Sequence, residues 1–280
     1  MTNQTLQAAV GVLQPEIQDG FESALSLARR AGELLVEMRQ KAFSVSKKGR
    51  VNLVTEVDVA AERLITEEVH RRFPGHRILA EEAGWSGGDS DVIWIVDPLD
   101  GTTNFTHGYP LYCVSIALAR SLPGEAHPRI LAGVVYNPLL DELFVAVDGG
   151  GAFLNGRPIR VSREARLEDS LLCTGFSYHL EEIERNLELF SRVMRRARSV
   201  RRDGSAAMDL CFVACGRFDG FWELSLHPWD VAAGALLVKE AGGRVSLFDG
   251  RPGGIFEREC LATNGLIHAA IREILAGVVR

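Results

Sequence analysis

The sequence predicts an α+β first half, about residues 18–168, running directly into an α/β second half, about residues 169–280. Three observations carry this prediction. Two amphipathic helical stretches precede a run of strands, a wholly apolar central strand ends in paired aspartates, and strands alternating with helices follow. With 280 residues, 46% apolar and 24% charged, the chain can bury a sizeable core. Its net charge of −6 is mixed along the sequence and gives no electrostatic footprint for nucleic acid. The one basic cluster, Arg195-Arg196 with Arg198, Arg201 and Arg202, reads as a solvated helix end. The five cysteines are odd in number and lack zinc-type spacing, so they read as reduced core residues of a cytoplasmic protein. No signal peptide or membrane span is expected, because the first twenty residues lack Lys and Arg and no stretch reaches about 18 apolar residues.

In chain order, residues 1–17 are loosely patterned and are expected to form a flexible leader. Leu25, Ala28, Ala31, Leu34, Leu35 and Met38 recur at helical spacing and predict a helix over Phe21–Met38. Lys47 to Arg50 makes a basic loop, and a second helix is expected over about Val57–Phe73, stopped by Pro74-Gly75. Arg77 to Glu82 reads as a short strand ending in carboxylates, and Val92–Val96 as a strand buried on both faces. Val114–Ala119, Ile130–Val147 and Ala152–Val161 follow as strands, with Asn155-Gly156 as a hairpin turn. Leu171–Phe176 opens the second half as a strand, and Leu180–Ala197 is a helix. Ser205 is the candidate N-cap of an apolar helix reaching Cys215, whose open N-terminus is an anion site. A strand over Gly220–Leu224, a helix over Val231–Glu240 headed by Asp230, strands near Arg244–Phe248 and Cys260–Ala262, and a final helix over Leu266–Val279 complete the chain.

The chemistry gathers at Asp97-Pro-Leu-Asp-Gly-Thr-Thr103. Pro98 turns the chain out of the central strand, and a turn over Pro98–Thr102 brings Asp97 and Asp100 to one side, where like charges need a cation. Gly101 frees the backbone, and Thr102 and Thr103 offer hydroxyls and amides at a helix start. The rival reading is an ordinary surface turn, since Asp, Pro and Gly are common turn residues. It is weakened by the apolar strand that the turn closes and by acidic residues in similar settings elsewhere. Glu81 follows another strand, and Asp230 heads an apolar helix. Read singly, Glu81 and Glu82 make a solvated strand end and Asp230 a plain N-cap. Taken together, four carboxylates suit two or more Mg²⁺ ions, which prefer hard oxygen donors.

Val96-Asp-Pro-Leu-Asp-Gly-Thr-Thr-Asn-Phe105 and Trp229-Asp-Val-Ala-Ala-Gly234, in that order, resemble the two signatures of the inositol monophosphatase family of Mg²⁺-dependent, lithium-sensitive phosphatases. The similarity extends over most of the chain from Asn52 onward and leaves out the residues before about Gln18. It implies a layered α-β-α-β-α sandwich, one phosphatase unit over 18–280, usually as a homodimer. It further implies two to three Mg²⁺ ions held by Glu81, Asp97, the Leu99 carbonyl, Asp100 and Asp230, with Glu81, Asp100 and Thr102 serving catalysis by a metal-activated water. Gly101, Thr102, Thr103 and the Gly204–Ala206 helix start would bind substrate, joined by Asp230 and by Glu223, which would accept a bond from a substrate hydroxyl. Asp58 would hold waters of a third, weak ion, and Lys47 or Lys48 would lie near the mouth. His107 and His227 have no triad pattern and read as structural. The activity implied is hydrolysis of an inositol monophosphate, with a small phosphorylated polyol as partner and neither membrane nor nucleic acid. Histidinol phosphate, fructose bisphosphate and 3′-phosphoadenosine 5′-phosphate remain alternatives, because metal ligands report the reaction and not the leaving group. So does a transcription-associated binding role, against which the intact set of carboxylates counts.

Overall fold

Five layers alternate between helices and sheets in the computed structural model, which describes residues 4–41, 44–47, 53–177 and 180–276. Helices α1 (Gln4–Val10), α2 (Pro15–Arg39) and α3 (Glu56–Arg72) form the first layer. Pro15 starts α2 without the N–H that a first turn leaves unpaired anyway. Ile17, Phe21, Ala24, Ala28, Ala31 and Leu35 then recur on one buried face. Between α2 and α3 lies a two-stranded ribbon, β1 (Val45–Lys47) with β2 (Leu53–Thr55). Thr55 caps α3. Its hydroxyl accepts from the Val57 N–H at 3.1 Å, while Asp58 Oδ2 accepts from the Thr55 N–H at 2.8 Å, a reciprocal pairing worth about 1 kcal/mol.

The first sheet holds β3 (Arg77–Ala80), β4 (Gly84–Gly87), β5 (Val92–Asp100), β6 (Cys113–Arg120), β7 (Arg129–Asn137), β8 (Glu142–Val147), β9 (Gly151–Leu154) and β10 (Arg157–Pro158). Its order is β10-β9-β8-β7-β6-β5-β3-β4, antiparallel except where β3 runs parallel to β5. Period-two alternation sends Val92, Trp94 and Val96 toward the first helices and Ile93 and Ile95 to the opposite face. That opposite face packs on the middle layer. The second sheet holds β11 (Leu171–Thr174), β12 (Ser199–Arg201), β13 (Gly220–Leu224), β14 (Arg244–Ser246) and β15 (Glu259–Thr263), in the order β12-β11-β13-β15-β14. Short α4 (Thr102–His107) follows β5. Helices α6 (Ala206–Ala214) and α7 (Pro228–Glu240) lie between the sheets, whereas α5 (Leu180–Met194) and α8 (His268–Ala276) border the outer face of the second. The sandwich implied by the family resemblance is therefore present.

Several expectations are corrected. Residues 4–10 and 15–17 of the expected leader are helical, and Leu6, Ala9 and Leu13 are buried in the first core. A polar chain anchors its end. The Trp94 indole N–H donates to His76 Nδ1 at 3.0 Å, which leaves Nε2–H to donate to Glu16 at 3.1 Å. The central strand does not stop at Val96 but continues to Asp100. Strand β4 was not anticipated, and Ile159–Val161 lies outside any strand. The Asn155-Gly156 turn is found, with both residues at positive φ as a type I′ hairpin requires. All five cysteines are free, and among the described residues no helix is long and apolar enough to cross a membrane.

Candidate active site

The site begins with an irregularity in β5. Asp97 pairs with Ser115 and Asp100 with Cys113, so β5 spends three steps where β6 spends two. Pro98, which has no ladder N–H to lose, lies inside this bulge. The Leu99 N–H donates to Asp97 Oδ1 at 3.0 Å, closing a local turn that holds the carboxylate. Asp97 is buried, while Asp100 is half-buried and reaches across to the middle layer. There Asp100 Oδ2 accepts from the Ala207 N–H at 2.8 Å and the Ser205 hydroxyl at 2.6 Å. The α6 terminus is thus an anion site as expected, but the anion it holds is Asp100. Ser205 occupies the N-cap position without a side-chain cap bond, because its hydroxyl is turned to that carboxylate. This corrects its expected capping role.

After the bulge, Gly101 adopts φ 93°, and a Cβ there would sit 3.1 Å from the Leu111 carbonyl oxygen. The turn releases Thr102 and Thr103 into the first turn of α4, where backbone N–H groups have no intrahelical acceptor. The Thr102 hydroxyl lies 3.0 Å from Asp58 Oδ1 and 3.1 Å from the Leu99 carbonyl oxygen, two acceptors for its one proton. Asp58 is buried and also holds Thr55, so it is a structural support of Thr102. Asn104, for which the sequence suggested no role, donates from Nδ2 to the Leu111 carbonyl at 2.8 Å and the Asp203 carbonyl at 2.7 Å. It ties α4 to the loop before α6.

The remaining carboxylates arrive from three elements. The Glu81 N–H donates to the Val96 carbonyl at 3.2 Å, which sets Glu81 beside β5 just after β3. Glu62 of α3 shapes that turn by accepting from the N–H groups of Glu82 and Ala83. Asp230 stands in the first turn of α7 and accepts from the His227 N–H at 2.6 Å, so the capping reading was partly right. The His227 ring stacks on Trp229, with centroids 4.9 Å apart, and His107 is exposed. Glu223 lies on β13 opposite Cys260. Lys48 and the Lys47 side chain lie outside the described residues.

Charge links these groups. Burial pushes the Asp97 carboxyl well above the usual range, and Glu81, Asp100 and Asp230 push it further. Burial likewise raises Asp100, against the bonds from Ser205 and the α6 amides, and raises Asp230 well above normal. Burial lifts Glu223 to about 8. As placed, no three His, Cys, Asp or Glu side chains among the described residues close around a single point. The donor chemistry nonetheless fits a hard divalent cation. The set consists of carboxylate and carbonyl oxygens, and its repulsion at Asp97 is what such an ion relieves.

Asp209 was missed, although a lone carboxylate inside the apolar Ser205–Cys215 stretch is a visible signal. It is buried, its Oδ1 has no hydrogen-bond partner, and burial followed by Asp203, Glu223 and Asp100 raises its carboxyl well above normal. A raised folded pKa gives stability present below the unfolded value, about 3.9, and lost as pH climbs toward the folded value. Asp209→Asn is therefore expected to raise the Tm at pH 8 by about 2–4 °C, the shift produced by about 1 kcal/mol, with the difference vanishing near pH 3.5. An unchanged or lower Tm at pH 8 in a thermal scan would show that the fold does not raise this carboxyl.

A five-layer sandwich that gathers carboxylates at a bulged strand end and a helix start is the frame of a phosphoric monoester hydrolase. Residues 17–280 match the model of the inositol monophosphatase family, and the chain belongs to that family. It is 46% identical over 265 residues to a Synechocystis protein named inositol-1-monophosphatase, covering 93% of this chain and 90% of that one. To the Nus factor SuhB of Pseudomonas aeruginosa it is 45% identical over 242 residues, covering 84% of this chain and 87% of that protein. The crystal structure of the extragenic suppressor protein suhB from Bartonella henselae superposes with a TM-score of 0.85 at 42% identity, covering 91% of this chain and 97% of that one.

Proposed function

We propose that this enzyme hydrolyses inositol 1-phosphate to myo-inositol and phosphate in the cytoplasm, with Mg²⁺ as cofactor. The observation that carries the reading is Asp97, buried where Glu81, Asp100 and Asp230 all raise its carboxyl. Glu81, Asp97, the Leu99 carbonyl, Asp100 and Asp230 would hold two to three Mg²⁺ ions. When bound, Mg²⁺ supplies charge neutralisation for the phosphate oxygens and acidity for the attacking water. Glu81 would take a proton from that water, and the Thr102 hydroxyl, its own proton directed to Asp58 or the Leu99 carbonyl, would accept a hydrogen bond from the water and orient it. The amides of Gly101, Thr102 and Thr103 take the phosphate. Gly204, Ser205 and Ala206 at the α6 start would add phosphate-binding amides beside Asp100, which already bonds Ser205 and α6, while Glu223 and Asp230 would face the polyol. No Ser, Cys or His nucleophile is needed. Free cysteines agree with a reducing compartment. Residues 18–280 act as one unit of two halves, and a homodimer that does not bind nucleic acid is the assembly proposed.

The test is phosphate release across a panel of inositol, sugar, histidinol and nucleotide phosphates. Inositol phosphate giving the highest kcat/KM is the expected result, and a nucleotide ahead by tenfold overturns the assignment. A variant sharpens it. Glu223→Ala is expected to cost roughly 1–3 kcal/mol in transition-state stabilisation on inositol phosphate and much less on an aryl phosphate, which has no polyol hydroxyl to hold. Equal losses on both substrates would place Glu223 in the metal site or the fold instead.

A further inference from the structure

Glu223 and Phe221 project from the same face of β13, the face that Phe221 buries against the middle layer. On the neighbouring strand β11, Cys173 pairs with Phe221 and Thr174 with Trp222, so the next residue, Gly175, comes level with Glu223. Cys173 points into the middle layer, and period two places Gly175 on that same side. A Cβ built on Gly175 would fall well inside contact distance of the Glu223 carboxyl, and its three nearest atoms all belong to that group. Gly175 is buried and does not have a left-handed φ. With no left-handed φ to accommodate, the demand for glycine that the structure shows here is space. The missing side chain is the notch in which the Glu223 carboxylate sits.

We infer that Gly175 is a positioning residue for substrate selectivity, acting by leaving room for the Glu223 carboxylate to face the polyol side of the site. A methyl group at this position expels the carboxylate from its seat, and the enzyme behaves as though Glu223 were absent. The inference rests on the reading of Glu223 given above. Its steric part, however, is measurable without any substrate.

The test is a double-mutant cycle of Gly175→Ala, Glu223→Ala and the pair, in the full chain. The readouts are the Tm and kcat/KM on inositol 1-phosphate and p-nitrophenyl phosphate. Gly175→Ala is expected to shift the Tm with Glu223 present and to have little effect once Glu223 is alanine. It should lower the inositol phosphate to aryl phosphate ratio about 10- to 100-fold, as Glu223→Ala does, and the double variant should fall no further than Glu223→Ala alone. Additive Tm changes would overturn the shared notch. A coupled Tm with an unchanged ratio in Gly175→Ala, beside a reduced ratio in Glu223→Ala, would overturn the selectivity role. An unchanged ratio in Glu223→Ala itself would sink the reading of Glu223, and the selectivity role with it, while the coupled Tm would still register the notch.

Discussion

Asp97→Asn is expected to give a folded protein whose turnover falls by at least about 10³. The substitution is nearly isosteric and keeps an oxygen that can accept the Leu99 N–H, so the bulge in β5 has no reason to collapse. What it removes is one negative charge from the group on which Glu81, Asp100 and Asp230 all act. In a cation-free protein that carboxyl is a burden, since a buried carboxyl with a raised pKa contributes stability that is lost as pH rises from the unfolded value, about 3.9, toward the raised folded value. In EDTA at pH 8 the variant should therefore melt no lower than the wild type, and higher by whatever stability the raised carboxyl has lost at that pH. Activity and stability thus move in opposite directions, as expected of a residue kept for function. Turnover within tenfold of wild type would remove Asp97 from the site. A Tm several degrees lower in EDTA would mean that the loss of activity reports the fold.

Asp97, Asp100 and Asp230 were legible because each interrupts an apolar segment, and a carboxylate placed there needs a reason. The helical layers were legible from spacing, as in α2, where small and large apolar residues recur along one face. What escaped depends on contacts distant in sequence. The hydroxyl of Ser205 looks like a cap until Asp100, far away in the first sheet, competes for it. Residues 4–17 look like a leader because Leu6, Ala9 and Leu13 are too sparse to predict a helix, and their burial is decided by the first core. The extension of β5 past Val96 was hidden by Pro98, which reads as a strand breaker but is tolerated inside a bulge. Gly175 carried no sequence signal, because its role is visible only when the register of β11 against β13 brings Glu223 alongside.

Removal of Mg²⁺ is expected to abolish turnover altogether, and this is the largest effect the site predicts. A phosphate monoester carries about two negative charges near neutral pH. It would have to approach Asp97, Asp100, Asp230 and Glu81, whose mutual repulsion already raises Asp97. At about 4 Å each like pair costs on the order of 4 kcal/mol at an effective dielectric of 20, so a substrate complex without cations is strongly disfavoured. The same repulsion gives a readout that needs no substrate. Ions that bind the folded chain and not the unfolded one stabilise it by about 2.7 kcal/mol at a hundredfold excess over their Kd, so the Tm should rise with added Mg²⁺, and less so in Asp97→Asn. Activity should return with Mg²⁺, pass through a maximum and fall when excess ions retain the phosphate product. Ca²⁺ should inhibit through its larger and looser shell. Lithium, an inhibitor by the family resemblance, should lower the rate at the Mg²⁺ optimum. Phosphate release and a thermal scan over one Mg²⁺ series measure both arms. Full activity in excess EDTA would overturn the role given to these carboxylates. Mg²⁺-dependent activity without any rise in Tm would place the cation on the substrate and not on Asp97, Asp100 and Asp230.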